Sequence, residues 1–72
     1  MENVIKNKFS ERLKELRVEK GLSQRALAEK TGFSQPAIAR WEAGLQVPNI
    51  DVAVAFALFF EVTADYLLGL EN

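Results

Sequence analysis

The stretch from residue 23 to residue 44, "SQRALAEKTGFSQPAIARWEAG", contains two similar segments that follow one another directly. Each opens Ser-Gln, places an Ala three residues after the Ser, and closes on a glycine, Gly32 in the first and Gly44 in the second. A Ser ahead of an apolar-periodic segment is a helix N-cap, and a Gly behind it supplies the left-handed residue that ends a helix. The stretch therefore predicts two short helices, with Pro36 tolerated in the first turn of the second.

The connection between these two helices is very short. Only Gly32 and Phe33 separate the first from the cap of the second, so the helices cannot lie antiparallel and must cross at a steep angle. This arrangement is the helix-turn-helix unit, expected over about residues 23–43. Steep helix corners also occur in bundles with no nucleic-acid role, so the geometry alone leaves the function open.

The same signals recur outside this stretch. They predict a first helix capped by Ser10 and ended by Gly21, a fourth from Asn49 or Asp51 to about Phe60, and a fifth from Thr63 to Gly69. Five short helices joined by brief turns leave no linker. The expected fold is all-α, a compact five-helix domain over residues 1–72.

Composition excludes several classes of protein. The 72 residues are 49% hydrophobic and 26% charged, which suits one globular domain with a small core. Cysteine and histidine are both absent, which excludes disulfides, thiolate metal sites, the usual zinc ligands and histidine-based triads. The longest apolar run, residues 52–60, is far shorter than a membrane helix. We expect a soluble, cytoplasmic protein without a metal or cofactor.

Charge is divided unequally along the chain. Residues 1–43 hold all nine Lys and Arg against six acids, a net charge of +3, whereas residues 44–72 hold four acids and no base, a net charge of −4. Opposite signs in the two halves suggest that one end meets an anion and the other has a different role. An ordinary solvated surface explains the same charges equally well.

The predicted fourth helix is apolar on two faces. Ala53, Phe56, Ala57 and Phe60 lie at helical spacing and suffice to pack a core. A second face is also apolar where a lone domain would carry charges, and it consists of Val54, Ala55, Leu58 and Phe59. Since a helix that is apolar all round must be covered, we expect a partner surface, and the interface of a homodimer is assigned to Val54, Leu58, Phe59 and Leu67.

Taken as a whole, the sequence resembles the helix-turn-helix domain of lambdoid phage repressors and Cro proteins, the XRE-type family. The resemblance covers about residues 9–70 and rests on "LKELRVEKGLSQRALAEKTGFSQPAIARWEAGLQVP" and "FALFFEVTADYLLG" at their spacing. It implies double-stranded DNA as the partner, with the second helix of the unit in the major groove of a palindromic operator. Base contacts are implied for Gln35, Pro36 and Arg40, and phosphate contacts for Ser23 and Gln24. Gln24 is also expected to brace Gln35.

The resemblance further implies an internal ion pair between Arg17 and Glu42 that ties helix one to the end of the recognition helix, a structural assignment. The chain also departs from the family pattern. Ala37 and Ala39 occupy positions where relatives often have polar side chains that contact bases. The loop "LQVP", which often contacts phosphate in relatives, has no Lys or Arg. We therefore expect modest affinity for a single copy and dependence on pairing.

The leading interpretation is a dimeric, sequence-specific transcriptional regulator, a repressor or controller protein. The alternative is an antitoxin-like module that grips a protein through the apolar face of helix four, which a stable hetero-complex would distinguish. An enzyme is not expected, because Glu61 and Asp65 suit capping and solvation better than acid-base work.

Overall fold

The computed structural model describes residues 4–71, and this part of the chain is helical with no strand. Its five helices are α1 (Val4–Glu19), α2 (Gln24–Thr31), α3 (Gln35–Glu42), α4 (Ile50–Phe60) and α5 (Ala64–Leu67). The predicted all-α, five-helix fold is confirmed.

Four of the helices begin at a side-chain cap. The cap oxygen accepts a hydrogen bond from the backbone N–H three residues later at Ser23 (3.0 Å), Ser34 (3.2 Å), Asn49 (2.9 Å) and Thr63 (2.9 Å). Each cap satisfies one of the N–H groups that a helix start leaves without a partner. Asn49 rather than Asp51 therefore caps α4.

The predicted cap of α1 at Ser10 is wrong. The helix begins at Val4, and Ser10 lies inside it with its Oγ donating to the Asn7 carbonyl at 2.8 Å. A serine inside a helix can bond back to the preceding turn in this way, so it does not have to mark a helix start. The residues ahead of Ser10 contain no Gly or Pro that would stop the helix earlier.

The turn between α2 and α3 depends on one residue with a left-handed backbone. Gly32 has a φ of +83°, and its N–H donates to the Ala28 carbonyl at 2.9 Å. Glycine adopts this conformation without the steric penalty that a Cβ brings. The chain can therefore leave α2 and start α3 only two residues later, at the Ser34 cap.

A second left-handed residue lies between α4 and α5, and it is not a glycine. Glu61 has a φ of +57°, in a region that residues with a Cβ seldom occupy. Its N–H donates to the Leu58 carbonyl, and the N–H of Val62 donates to the Ala57 carbonyl at 3.0 Å. These bonds satisfy the end of α4, so Glu61 holds the conformation that glycine holds at Gly32.

The core is one aromatic cluster that all five helices reach. Its buried members are Phe9, Leu13, Leu27, Ile38, Trp41, Val52, Phe56, Ala57, Phe60 and Leu67. Phe33 and Phe56 lie near the Trp41 ring, at centroid distances of 5.3 and 5.7 Å and steep interplanar angles. Such edge-to-face pairs add to the stabilisation from burial alone. The core thus fixes α3 through Ile38 and Trp41 on one side of that helix.

The end of the described chain is attached to α1 by Arg12. The Arg12 guanidinium donates to the carbonyls of Tyr66 and Glu71, the latter at 2.6 Å, and lies 4.3 Å from the centre of the Tyr66 ring. The Thr63 hydroxyl also hydrogen-bonds the Glu71 carboxylate. Two polar attachments therefore hold the segment after α5 in place.

Candidate nucleic-acid interface

Helix α3 has a buried side and an exposed side. Ile38 and Trp41 are buried in the core, whereas Gln35, Pro36 and Arg40 are exposed. The spacing of the buried pair orients the helix, because residues three apart lie on one face. All three residues assigned to base contacts from the sequence therefore lie on the accessible side of the same helix.

The two glutamines that follow the Ser caps are joined to each other. Gln35 Nε2 donates to Gln24 Oε1 at 2.8 Å, and Gln24 Nε2 donates to Glu42 Oε1 at 3.1 Å. The start of α3 is thereby connected through α2 to the end of α3. Gln24 occupies the bracing position that the sequence assigned to it.

The last member of this series is an ion pair between α1 and α3. Arg17 Nε donates to Glu42 Oε2 at 2.6 Å and Arg17 Nη2 donates to Glu42 Oε1 at 2.9 Å, so the pair is bidentate. Arg17 Nη1 also donates to the Leu22 carbonyl at 2.7 Å, ahead of α2. The side chains of Arg17 and Glu42 are only 12% and 3% exposed. Arg17 therefore ties three segments of the domain together.

The hydrogen bonds to Glu42 also affect the acid-base behaviour of Arg17. They raise the pKa of the guanidinium above its ordinary value, aided by the nearby negative charge and opposed by partial burial. A guanidinium is charged throughout the neutral range with or without such contacts, so the charge that pairs with Glu42 is permanent.

The electrostatics at the helix starts favour an anion. Neither α2 nor α3 carries an acidic residue in its first turn, so the positive end of each helix dipole is not neutralised. A shallow groove beside the start of α2 is lined by Lys14, Arg17, Gln24, Ala39, Glu42 and Ala43. Lys14 was not singled out from the sequence. Its position three residues before Arg17 on α1 was the available signal.

Arg40, the second candidate reader, has a partner in the following loop. Its Nε donates to Gln46 Oε1 at 3.1 Å, and both residues are exposed. The sequence analysis noted that this loop lacks Lys and Arg but did not identify Gln46. The contact holds the guanidinium near the C-terminal end of α3 while leaving its other N–H groups accessible.

The residues assigned to a dimer interface do not all lie on the surface. Val54 and Leu58 are 42% and 75% exposed, and Phe59 is half-buried against the core with Lys20 Nζ 5.9 Å from its ring centre. Leu67 is fully buried in the core, so its assignment to the interface is wrong. The short α5 turns Leu67 inward, a direction that the sequence period over four residues could not determine.

Ile50, which the sequence analysis missed, extends the exposed surface. It is 67% exposed and lies four residues before Val54, which in turn lies four residues before Leu58. Residues at this spacing share one face of a helix. The three together are called the apolar stripe of α4 below. The spacing itself was the signal that could have identified Ile50.

The arrangement of the acidic side chains and the lengths of the helices can be stated for residues 4–71. No group of three or more acidic, His or Cys side chains there is arranged to hold a metal. Glu61 ends α4 and Asp65 lies in the first turn of α5, each in a capping environment. In this part of the chain no helix combines the length and apolar character needed to cross a membrane.

Comparison with known proteins identifies a family with similar sequences. The sequence model of the helix-turn-helix family HTH_3 matches residues 13–67. The HTH-type transcriptional activator BcrR of Enterococcus faecalis is 42% identical over 64 residues, 89% of this chain and 31% of BcrR. The uncharacterized HTH-type transcriptional regulator YqaE of Bacillus subtilis is 37% identical over 64 residues, 89% of this chain and 55% of YqaE.

A solved structure shares the fold. The crystal structure of an HTH_3 family transcriptional regulator from Vibrio cholerae superposes with a TM-score of 0.80 at 28% identity, covering 93% of this chain and 38% of that one. This chain thus spans about a third to just over half the length of these relatives. The resemblance drawn from the sequence is confirmed, and the chain belongs to the XRE-type helix-turn-helix family, whose domains occur in transcriptional regulators.

Proposed function

We propose that this chain binds double-stranded DNA through α3 in the major groove and that two copies act together on a palindromic operator to regulate transcription. The observation that carries the proposal is that α3 is buried on one side and exposed on the other. Ile38 and Trp41 hold one side in the core, and Gln35 and Arg40 stand on the other. The major groove admits a helix, where Gln pairs with adenine and Arg with guanine.

Contacts to the DNA backbone would orient this helix. The start of α2 presents Ser23 and Gln24 beside Lys14, and its first turn holds no acid. Backbone N–H groups at a helix start bind phosphate, and such contacts set the register of a protein on the duplex. Pro36, which is exposed at the start of α3, offers an apolar contact to a thymine methyl group.

The apolar stripe of α4 supports a second copy of the chain as partner. Ile50, Val54 and Leu58 are exposed there, and no Lys or Arg occurs from Gly44 to the end of the sequence. The segment that carries the stripe has a net negative charge, which disfavours contact with DNA, so we assign the stripe to a different contact. A two-fold dimer through this surface would place two recognition helices about 34 Å apart, on half-sites about ten base pairs apart.

The first experiment is a selection of bound sequences from random duplex DNA, followed by binding to the selected duplex at several salt concentrations. We expect a palindromic preference and an affinity that falls steeply with salt, since counterions are released from the phosphates. Equal binding to all duplexes would contradict a sequence-specific function.

The second experiment is sedimentation of the unaltered chain and of Leu58→Lys, with Val18→Lys as the matched control. Val18 is also an exposed aliphatic residue, at 57%, but it lies on α1. We expect Leu58→Lys to be a folded monomer that has lost most of its affinity for the operator, and Val18→Lys to remain a dimer. Salt should strengthen the dimer, because it screens repulsion between two acidic halves.

Two outcomes would count against the dimer. One is a chain that stays monomeric at high micromolar concentration, and the other is a Leu58→Lys variant that still dimerises. A monomer that also binds no duplex selectively would favour the antitoxin-like interpretation. Action as a repressor or controller protein stays a prediction, to be tested with a reporter whose promoter overlaps the selected operator.

A further inference from the structure

We propose that Glu42 is a positioning residue for base recognition: acting through Gln24, it fixes the orientation of the Gln35 amide in the form that matches adenine. Sequence analysis gave Glu42 a structural role only, in the ion pair with Arg17. The inference rests on the proposed DNA binding and extends it, because it names the residue that holds Gln24, and through Gln24 the amide of Gln35, in the orientation that adenine requires.

The first step is that Glu42 can only accept hydrogen bonds. Its carboxylate is paired with the permanently charged Arg17 through both oxygens, at 2.6 and 2.9 Å, and its side chain is only 3% exposed. A carboxylate whose two oxygens both accept from a guanidinium offers no donor to Gln24. Gln24, which contacts Glu42 Oε1 at 3.1 Å, must therefore turn its Nε2 toward the carboxylate.

The second step carries this orientation to Gln35. The oxygen and the nitrogen of an amide point in different directions. Because Gln24 directs its Nε2 toward Glu42, its Oε1 points away from Glu42. Gln35 lies there and donates its Nε2 to that oxygen at 2.8 Å. The reverse orientation of Gln24 would place its oxygen against the Glu42 carboxylate. An acceptor would then face an acceptor, and the whole series of hydrogen bonds would be lost.

The third step concerns what Gln35 has left for a ligand. One of its two amide protons is used on Gln24, which leaves Oε1 as an acceptor and a single N–H as a donor. Adenine offers a donor at N6 and an acceptor at N7, which match this pair, whereas guanine offers two acceptors, O6 and N7. Guanine would require Gln35 to present two donors, and an amide held by Gln24 cannot do so.

The experiment measures the ratio of affinities for adenine and guanine at the one operator position where Gln35→Ala loses discrimination. Gln24→Ala removes the connection while keeping the Arg17–Glu42 pair, and Glu42→Gln replaces an acceptor by an amide that can also donate. The matched control is Glu29→Ala, which truncates an exposed side chain of α2 outside this series of hydrogen bonds. A correctly paired base is favoured by about 5- to 150-fold. We expect Gln24→Ala and Glu42→Gln to lose most of that factor at this position only, and Glu29→Ala to keep it.

A second readout needs no DNA. In the free protein, the side-chain amide protons of Gln35 should shift and exchange faster with solvent in Gln24→Ala, as followed by ¹⁵N-correlated NMR. Unchanged Gln35 resonances in that folded variant would overturn the connection even if the chain binds DNA as proposed. An unchanged adenine-to-guanine ratio in Gln24→Ala would overturn the role in recognition.

These outcomes separate the inference from the proposed function. A wild-type chain with no sequence preference would contradict the proposed function, and with it the base assignment, while the amide resonances would still report the hydrogen-bond series. If Glu42→Gln fails to fold, the double variant Arg17→Met/Glu42→Leu takes its place, because it removes the acceptor for Gln24 without leaving an unpaired charge. An unchanged adenine-to-guanine ratio in that folded variant would overturn the role of Glu42.

Discussion

The ion pair between α1 and α3 makes a quantitative prediction about stability. Arg17→Met and Glu42→Leu each remove one partner and leave the other charge in a site where the side chains are 12% and 3% exposed. Removing one partner of a buried pair costs about 3–5 kcal/mol, whereas an exposed pair is worth under about 1 kcal/mol. The low exposure and the bidentate geometry place this pair near the buried case.

The double variant should be less damaging than the sum of the two single variants. It leaves no unpaired charge, and only the Leu22 carbonyl and the Gln24 amide lose a partner. We expect a coupling of about 2–3 kcal/mol between the two substitutions, at the upper end for residues in contact. A domain of this size has a free energy of unfolding near the lower end of about 5–15 kcal/mol, so each single variant should be close to its unfolding threshold.

Urea unfolding followed by tryptophan fluorescence provides the measurement. Trp41 is the only tryptophan and is 5% exposed, so its emission reports the core directly. The unfolding midpoints of both single variants should fall by more than 1 M, since the urea dependence is about 1–3 kcal/mol per M. Single effects below about 1 kcal/mol, or effects that simply add in the double variant, would refute the reasoning.

Three further predictions concern the backbone and can be checked by thermal or urea unfolding. Gly69→Ala should destabilise more than Gly21→Ala, although both residues have positive φ (+80° and +70°), because only the Cβ at 69 would lie 2.6 Å from Lys8 Cβ; equal losses would mean that the side chain of Lys8 yields freely. Glu61→Gly should stabilise by about 0.5–1 kcal/mol by relieving its left-handed conformation, and a loss of stability would show that its side chain contributes more than the strain costs. Ser34→Ala should destabilise by about 1 kcal/mol through loss of the α3 cap, and no change would show that the cap is dispensable.

Much of the fold could be predicted because its signals are local. A capping oxygen accepts a hydrogen bond from an N–H only three residues later. Ser23 and Ser34 could therefore be identified as helix starts from the sequence alone. The prediction that Ser10 caps α1 was wrong because it relied on the same local signal. Its hydroxyl bonds to the carbonyl three residues before it, and sequence does not say in which direction a serine will bond.

The candidate site was less predictable, because its geometry joins distant parts of the chain. The spacing of Ile38 and Trp41 sufficed to place Gln35 and Arg40 on the exposed side of α3. The hydrogen bond between Gln24 and Glu42 joins residues 18 apart, and Arg40 with Gln46 depends on the path of a loop. No periodicity encodes such contacts. The assignment of Leu67 to the dimer interface was wrong for a different reason, because the periodicity of a four-residue helix is too short to indicate which side is buried.

The attachment made by Arg12 has a consequence for how the protein is synthesised. Arg12 bonds to the Glu71 carbonyl, 59 residues later, so α1 cannot complete its contacts until residue 71 has left the ribosome. At about 5–20 residues per second this takes about 3–12 s, whereas small helical domains fold in microseconds to milliseconds. Translation rather than folding therefore sets the delay. During it, Phe9 and Leu13 lack the later helices that bury them and are open to chaperones and proteases.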